Sequence, residues 1–133
     1  MAGLTLPALS AGWKYEGWAV IDGTPVSTGT FTNVAATDEA DTFSGPIALG
    51  APNGEDGFFP GEDFLLNAPA GVSFPTNIAA AVISIEPVPD NSAAPFLLKP
   101  LVGTIDANAE VHSTLPMGNN AVATNPQGTV TRN

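Results

Sequence analysis

The sequence predicts an all-β domain: an antiparallel β-sandwich, immunoglobulin-like in its general architecture, with a long loop inserted near its middle. Fourteen glycines and thirteen prolines interrupt a chain of 133 residues, which excludes long helices. Short runs rich in valine, isoleucine, threonine and aromatic residues alternate with turn signals. Hydrophobic residues make up 44% of the chain, enough for a packed core. We therefore predict a single domain over residues 1–133, with roughly seven to nine short strands.

The N-terminal hairpin, residues 13–31, is the strongest β signal in the chain. It contains both tryptophans, the single tyrosine and an Asp-Gly turn. Trp13 and Tyr15 have one parity along the first strand and Trp18 has the other, so a regular strand would send them to opposite faces. Either a β-bulge at Gly17 brings these aromatic residues onto one side, or both faces of the strand are covered.

The aromatic residues of this hairpin are predicted to point inward, because large aromatic side chains dominate core burial. The functional alternative is an aromatic platform for a sugar or a peptide. The predicted core joins the hairpin to the strand that ends at Glu86. It consists of Trp13, Tyr15, Trp18, Phe31, Ile83 and Ile85.

Further strands are predicted along the second half of the chain. Residues 78–86 are apolar at both parities and then alternate, which is typical of a central strand. Residues 96–105 should return as a strand, with Pro100 at an edge or a bulge. Alternation over residues 110–117 predicts another strand, followed by a turn at residues 118–120. Residues 122–133 form a final edge strand or a loose tail.

The segment of residues 44–75 has a different character, with glycine and proline turn signals at short intervals. A loop of this length in a compact domain is often functional. Its phenylalanines either pin it onto the body or form an exposed apolar patch, which would indicate a binding surface. We therefore predict that this loop carries the specificity for a protein partner, through Phe58, Phe59 and Phe64.

The charge of the chain is sparse and acidic: 3 basic residues against 13 acidic residues give a net charge of −10. Nucleic acid is therefore excluded as a partner, because phosphate binding needs a cationic surface. Calcium is the cofactor to consider, because loops rich in carboxylates supply its oxygen ligands. The spacing does not fit an EF-hand, so a solvated surface is preferred and no cofactor is predicted. The candidate ligands are Asn53, Glu55, Asp56, Glu62 and Asp63.

Catalytic signatures are missing from the sequence. It contains no cysteine, a single histidine, His112, and no Gly-x-Ser-x-Gly motif. A carboxylate pair for glycoside cleavage stays open, since the acidic residues offer many pairs. No apolar run is long enough for a membrane helix, and the N-terminus lacks the pattern of a signal peptide. We predict a protein that is not an enzyme and does not span a membrane.

Three motifs resemble a known family. They are Tyr15-Glu16-Gly17-Trp18, the run from Pro25 to Phe31, and Ile83-Ser84-Ile85-Glu86-Pro87 with Pro95 beyond the turn. Together they resemble the extracytoplasmic domain of anti-sigma-K-factor-like proteins, over roughly residues 4–103 with gaps. That family combines a tyrosine-x-x-tryptophan strand with a proline-valine-serine-x-glycine-x-phenylalanine strand.

The resemblance implies a small β-sandwich located outside the cytoplasm, in the periplasm or on the cell surface. The sequence has neither the membrane helix nor the sigma-binding segment of the family, so sigma-factor inhibition is not carried over. The expected function is a non-enzymatic module for sensing, adhesion or assembly through protein contacts, self-association included. The alternative is a surface module that binds calcium or glycan with its acidic loops.

Overall fold

The computed structural model describes residues 4–34, 38–40, 42–43, 65, 67, 69–72, 78–110, 115–124 and 128–132. Five strands and one helical turn occur within these residues. In chain order they are β1 (Trp13–Ile21), β2 (Thr24–Phe31), β3 (Ile78–Pro87), β4 (Leu101–Thr104), β5 (Gly118–Asn119) and α1 (Ala121–Thr124). No helix among the described residues is long and apolar enough to cross a membrane.

The strands form one antiparallel sheet with the order β2-β1-β3-β4-β5. This confirms the prediction of an all-β, antiparallel fold. The strand predicted over residues 78–86 is β3, which lies at the centre of the sheet between β1 and β4. All described strands belong to this one sheet, so the second layer of the predicted sandwich is not among them and stays a prediction.

The C-terminal third differs from the sequence prediction. The strand predicted over residues 96–105 shortens to β4. The chain before β4 contacts the β3 backbone through a hydrogen bond from the Ile85 N–H to the Leu98 carbonyl at 2.8 Å. The turn predicted at residues 118–120 instead contains β5, which pairs with β4. No edge strand occurs among the described residues of this last segment: helix α1 ends at Thr124, and residues 128–132 have irregular, exposed backbone. The loose tail stays a prediction.

The hairpin contains a bulge, but on the strand opposite the predicted one. Gly17 pairs with Gly29 and Trp18 pairs with Ser27, so Thr28 is the additional residue and lies on β2. Against β3, the same part of β1 is in regular register. Tyr15 and Trp18 therefore project to opposite faces, and both are buried. The second interpretation, a strand covered on both faces, is the one that the structure supports.

One face of the sheet is apolar and carries the core. Tyr15, Phe31 and Ile83 form one buried cluster, and Ala19, Ile21 and Val26 form a second. The Tyr15 and Phe31 rings stack with centroids 5.5 Å apart, and the Tyr15 hydroxyl donates to the Pro7 carbonyl at 2.6 Å. Partly buried side chains cover the first cluster: Leu4, Leu6, Leu9, Val34, Ile85, Leu101 and Met117.

The predicted core residues have different environments in the structure. Tyr15, Trp18, Phe31 and Ile83 are buried, and Ile85 packs partly buried against the first cluster. Trp13 differs from the prediction, because it is 37% exposed at the beginning of β1. Without a bulge in β1, nothing rotates Trp13 and Trp18 onto a common face.

Gly29 holds the bulge in a backbone conformation that L-residues rarely adopt, with φ at 134°. We expect Gly29→Ala to lower the free energy of unfolding by about 1–2 kcal/mol, because a Cβ is strained in this region. Gly128→Ala is the matched control, since a Cβ there would meet no atom within 4 Å. Urea denaturation measures both variants, and equal midpoints for the two would contradict this account of the bulge.

Candidate functional site

The binding and metal residues predicted in the long loop lie outside the described residues, and so does His112. Their roles stay predictions. These residues are Phe58, Phe59 and Phe64, predicted for partner binding, and Asn53, Glu55, Asp56, Glu62 and Asp63, predicted for calcium.

The second face of the sheet brings together a set of buried polar side chains. Glu16 on β1 is 6% exposed, Glu86 on β3 is 1% exposed, and Ser84 is fully buried. Glu16 pairs directly with Ser84 across the two strands, so Glu86 is its diagonal neighbour. Strand alternation and register therefore place two carboxylates side by side in the interior.

A third carboxylate joins them from the turn that follows β3. Asp90 is exposed, and its Oδ1 accepts a hydrogen bond from the Ser92 N–H at 2.8 Å, which fixes the local turn. One carboxylate oxygen from each of Glu16, Glu86 and Asp90 lies within 4.8 Å of the other two. We call these three residues the carboxylate cluster.

Hydrogen bonds fix one oxygen of each buried glutamate. The Trp18 indole N–H donates to the Ser84 Oγ at 2.7 Å, and the Ser84 hydroxyl donates to the Glu86 Oε1. The Phe96 N–H donates to the same Glu86 oxygen at 2.8 Å. The connection between β3 and β4 is therefore attached to the cluster through its backbone.

In its ionised form, each glutamate has a second oxygen without a hydrogen-bond partner among the described residues. The Ser27 hydroxyl donates to the Glu16 Oε1, whereas the Oε2 atoms of both Glu16 and Glu86 are buried and accept no hydrogen bond from the described part of the chain. A buried polar atom without a partner costs about 1–3 kcal/mol, and more when it is charged. Two such atoms in one cluster require an explanation.

The environment of the cluster changes the pKa of the Glu16 carboxyl. Burial raises the pKa of the Glu16 carboxyl from 4.5 to about 7, and the nearby charges of Glu86 and Asp90 add to the increase. A hydrogen bond that the protonated Glu16 carboxyl can share with Asp90 acts in the same direction. The hydrogen bond from Ser27 acts in the opposite direction. Near neutral pH this carboxyl is therefore divided between its protonated and ionised forms.

Three chemistries are open to such a cluster: a shared proton, a bound cation, or an acid and a nucleophile for glycoside cleavage. The last requires a sugar ring in contact with two carboxyl groups, about 5–5.5 Å apart in retaining enzymes and further apart in inverting ones. Glu16 and Glu86 are both more than nine-tenths buried, which leaves no surface for a sugar. A proton or a small ion is a better match to their burial.

An exposed apolar surface lies at the end of the sheet where β1 begins and β3 ends. The Trp13 and Phe96 rings are tilted against each other with centroids 6.1 Å apart. The Val88 N–H donates to the Gly12 carbonyl at 2.9 Å, which places Val88 beside the beginning of β1. We define the apolar rim as the exposed residues Trp13, Val88, Phe96 and Leu97.

No family model, no curated protein and no solved structure matches this chain. The resemblance to anti-sigma-K-factor-like domains therefore stays a prediction based on the motifs alone. The structure itself shows an antiparallel sheet with a buried carboxylate cluster on one face and an apolar rim at one end.

The carboxylate cluster is not among the sites predicted from the sequence, although the sequence contains a signal for it. Glu16 and Glu86 stand inside apolar strands, whereas most of the acidic residues follow turn signals. An acidic residue at a central strand position is either exposed on a polar face, or buried and paired with another group. The register between β1 and β3 decides between the two, and sequence alternation alone does not provide that register.

Proposed function

We propose that this protein is a non-enzymatic binding module that acts through protein contacts, and that the apolar rim is its contact surface. The observation that supports this proposal is the exposure of the Trp13 and Phe96 rings, at 37% and 40%. Tryptophan is among the residues most enriched at interface hot spots, where it supplies much of the binding energy. Val88, which hydrogen-bonds to Gly12, and Leu97, which follows Phe96 in the chain, add further exposed apolar side chains.

The location of the module outside the cytoplasm is part of the same proposal and depends on the motif resemblance. Sensing, adhesion and assembly, including self-association, all use a surface of this kind. The burial of Glu16 and Glu86 supports the non-enzymatic part, because a substrate cannot reach both carboxylates at once.

The protein has no cysteine, so a single introduced cysteine gives a clean chemical test. We expect Leu97→Cys protein, carrying a photoreactive benzophenone at the new thiol, to form specific adducts with a partner or a second copy in its native cells. Asp22→Cys is the matched control, because Asp22 is an exposed residue at the hairpin turn, at the opposite end of β1. Adducts should form from position 97 and not from position 22.

Two further measurements make this test decisive. Adding Phe96→Ser to the Leu97→Cys protein should abolish the adducts, because it removes half of the aromatic pair. A maleimide that cannot cross membranes should label position 97 in intact cells if the domain lies outside the cytoplasm. Equal adducts from both positions, or none from either, would overturn the contact surface, and labelling only after lysis would overturn the location.

A further inference from the structure

We propose that Glu16, Glu86 and Asp90 form a binding site for a divalent cation, with calcium as the preferred ion. The two glutamates come from adjacent strands and the aspartate from the turn after β3, so the site exists only in the folded sheet. It uses none of the loop residues that the sequence analysis named for calcium, and it does not depend on the protein-contact function.

The unpaired oxygens are the observation that points to a ligand. The Oε2 atoms of Glu16 and Glu86 are buried and accept no hydrogen bond from the residues that the structure describes, and both side chains are more than nine-tenths buried. Their Oε1 atoms are already engaged by Ser27, Ser84 and the Phe96 N–H. Each carboxylate is thus oriented by neutral donors and retains one free oxygen, as metal-binding carboxylates do.

The nearest lysine in register does not neutralise Glu86. Lys14 pairs with Glu86 across β1 and β3, yet its Nζ contacts the Glu39 Oε2 at 2.5 Å. Like charges in a buried position repel one another strongly, and removing them from water adds a further cost. A divalent cation offsets both effects at once, because it supplies positive charge and direct ligand bonds.

The donor set and the burial of the cluster favour calcium. All donors are oxygens, which suits calcium, magnesium and manganese rather than the metals that prefer nitrogen or sulfur. Calcium binds oxygens at about 2.3–2.6 Å, so two ligands on opposite sides of the ion can be roughly 5 Å apart. The cluster oxygens fall within 4.8 Å of one another and fit this limit. Magnesium demands near-ideal octahedral geometry and gives up its waters reluctantly, so a site with two buried glutamates suits it less well.

The exposed position of Asp90 gives an ion a route to the site. Asp90 is the solvent-exposed member of the cluster, and the hydrogen bond from Ser92 fixes its backbone turn. Water can complete the coordination on this side, as is usual when a protein supplies fewer than six ligands. The cluster therefore combines two buried glutamates with an aspartate that is exposed to solvent.

The test is a titration of chelator-treated protein with calcium chloride, and separately with magnesium chloride, followed by calorimetry. We expect one calcium per chain with a dissociation constant at or below about 1 mM, the range of weak extracellular calcium sites. The melting temperature should rise with calcium and return to its starting value with chelator. Magnesium should bind more weakly.

Asp90→Asn is the informative variant, because asparagine keeps the Oδ1 that accepts from Ser92 while it removes the charge. We expect calcium affinity to fall by at least about tenfold, since affinity in such sites follows the charge of the ligands. Asp22→Asn is the matched control: it removes the same charge at an exposed turn with φ at 48°, a conformation that asparagine tolerates. Its calcium affinity should equal that of the unmodified protein.

The Trp18 indole gives a readout that a nonspecific surface charge would not affect. Its N–H is two hydrogen bonds from Glu86, through the Ser84 hydroxyl. In a Trp13→Phe background, calcium should shift the single indole N–H resonance in NMR, and Asp90→Asn should remove that shift. No heat and no change in melting temperature with calcium would overturn the proposal, and so would equal affinities for the two aspartate variants.

Discussion

Replacing Phe31 with alanine is expected to lower the free energy of unfolding by about 3–5 kcal/mol, the usual cost of removing a buried phenylalanine. Phe31 is fully buried, stacks on Tyr15 and belongs to the cluster that includes Ile83. The residue lies at the end of β2 and the surrounding strands fix its neighbours, so the cavity should not collapse fully. The expected cost combines the transfer free energy of the buried ring with the cost of the cavity that remains.

Urea denaturation and thermal melting measure this effect, with a melting temperature lower by roughly 10–20 °C. Phe96→Ala is a control of the same size, because Phe96 is 40% exposed and its side chain should contribute much less to stability. If Phe31→Ala cost no more than Phe96→Ala, the apolar face of the sheet would not be the core of the molecule.

Replacing Glu16 with glutamine is expected to change how stability depends on pH. In the folded protein the pKa of Glu16 is raised to about 7, mainly by burial, whereas in the unfolded chain it returns to about 4.5. Between these values the folded state holds a proton that the unfolded state has lost, so stability falls as the pH rises. The loss is complete above about pH 7 and amounts to up to about 3 kcal/mol.

The glutamine variant carries no charge at this position, so it should lack this fall between pH 4.5 and pH 7. It should match the unmodified protein near pH 4 and be more stable at pH 8, when both are measured with chelator present. Calcium should restore the stability that is lost at high pH in the unmodified protein only, because the ion stabilises the ionised carboxylate.

Glu39→Gln is the control for this experiment. Lys14 and Thr32 lower the pKa of Glu39, which is partly exposed, so its contribution has the opposite sign. That contribution is present above pH 4.5 and lost as the pH falls. A pH profile that is unchanged by Glu16→Gln would show that the buried carboxyl does not take up a proton on folding.

Local sequence signals are sufficient to predict the hairpin strands and β3. The Asp-Gly turn and β-rich flanks of the hairpin predict β1 and β2, and the apolar run near Ile83 predicts β3. These features follow from turn chemistry and from alternation, which are properties of neighbouring residues. The same approach failed near residues 118–120, where pairing with β4 creates a two-residue strand that no local pattern marks.

The side chains on each face of the sheet depend on long-range strand pairing, which local signals do not predict. The bulge at Gly29 is on the partner strand, so Tyr15 and Trp18 stay on opposite faces and Trp13 remains partly exposed. The same register brings Glu16 beside Glu86, although 70 positions separate them in the chain. The physical reason is that a shift of one residue in pairing exchanges the two faces of a strand. The carboxylate cluster therefore depends on long-range pairing, which neither strand encodes alone.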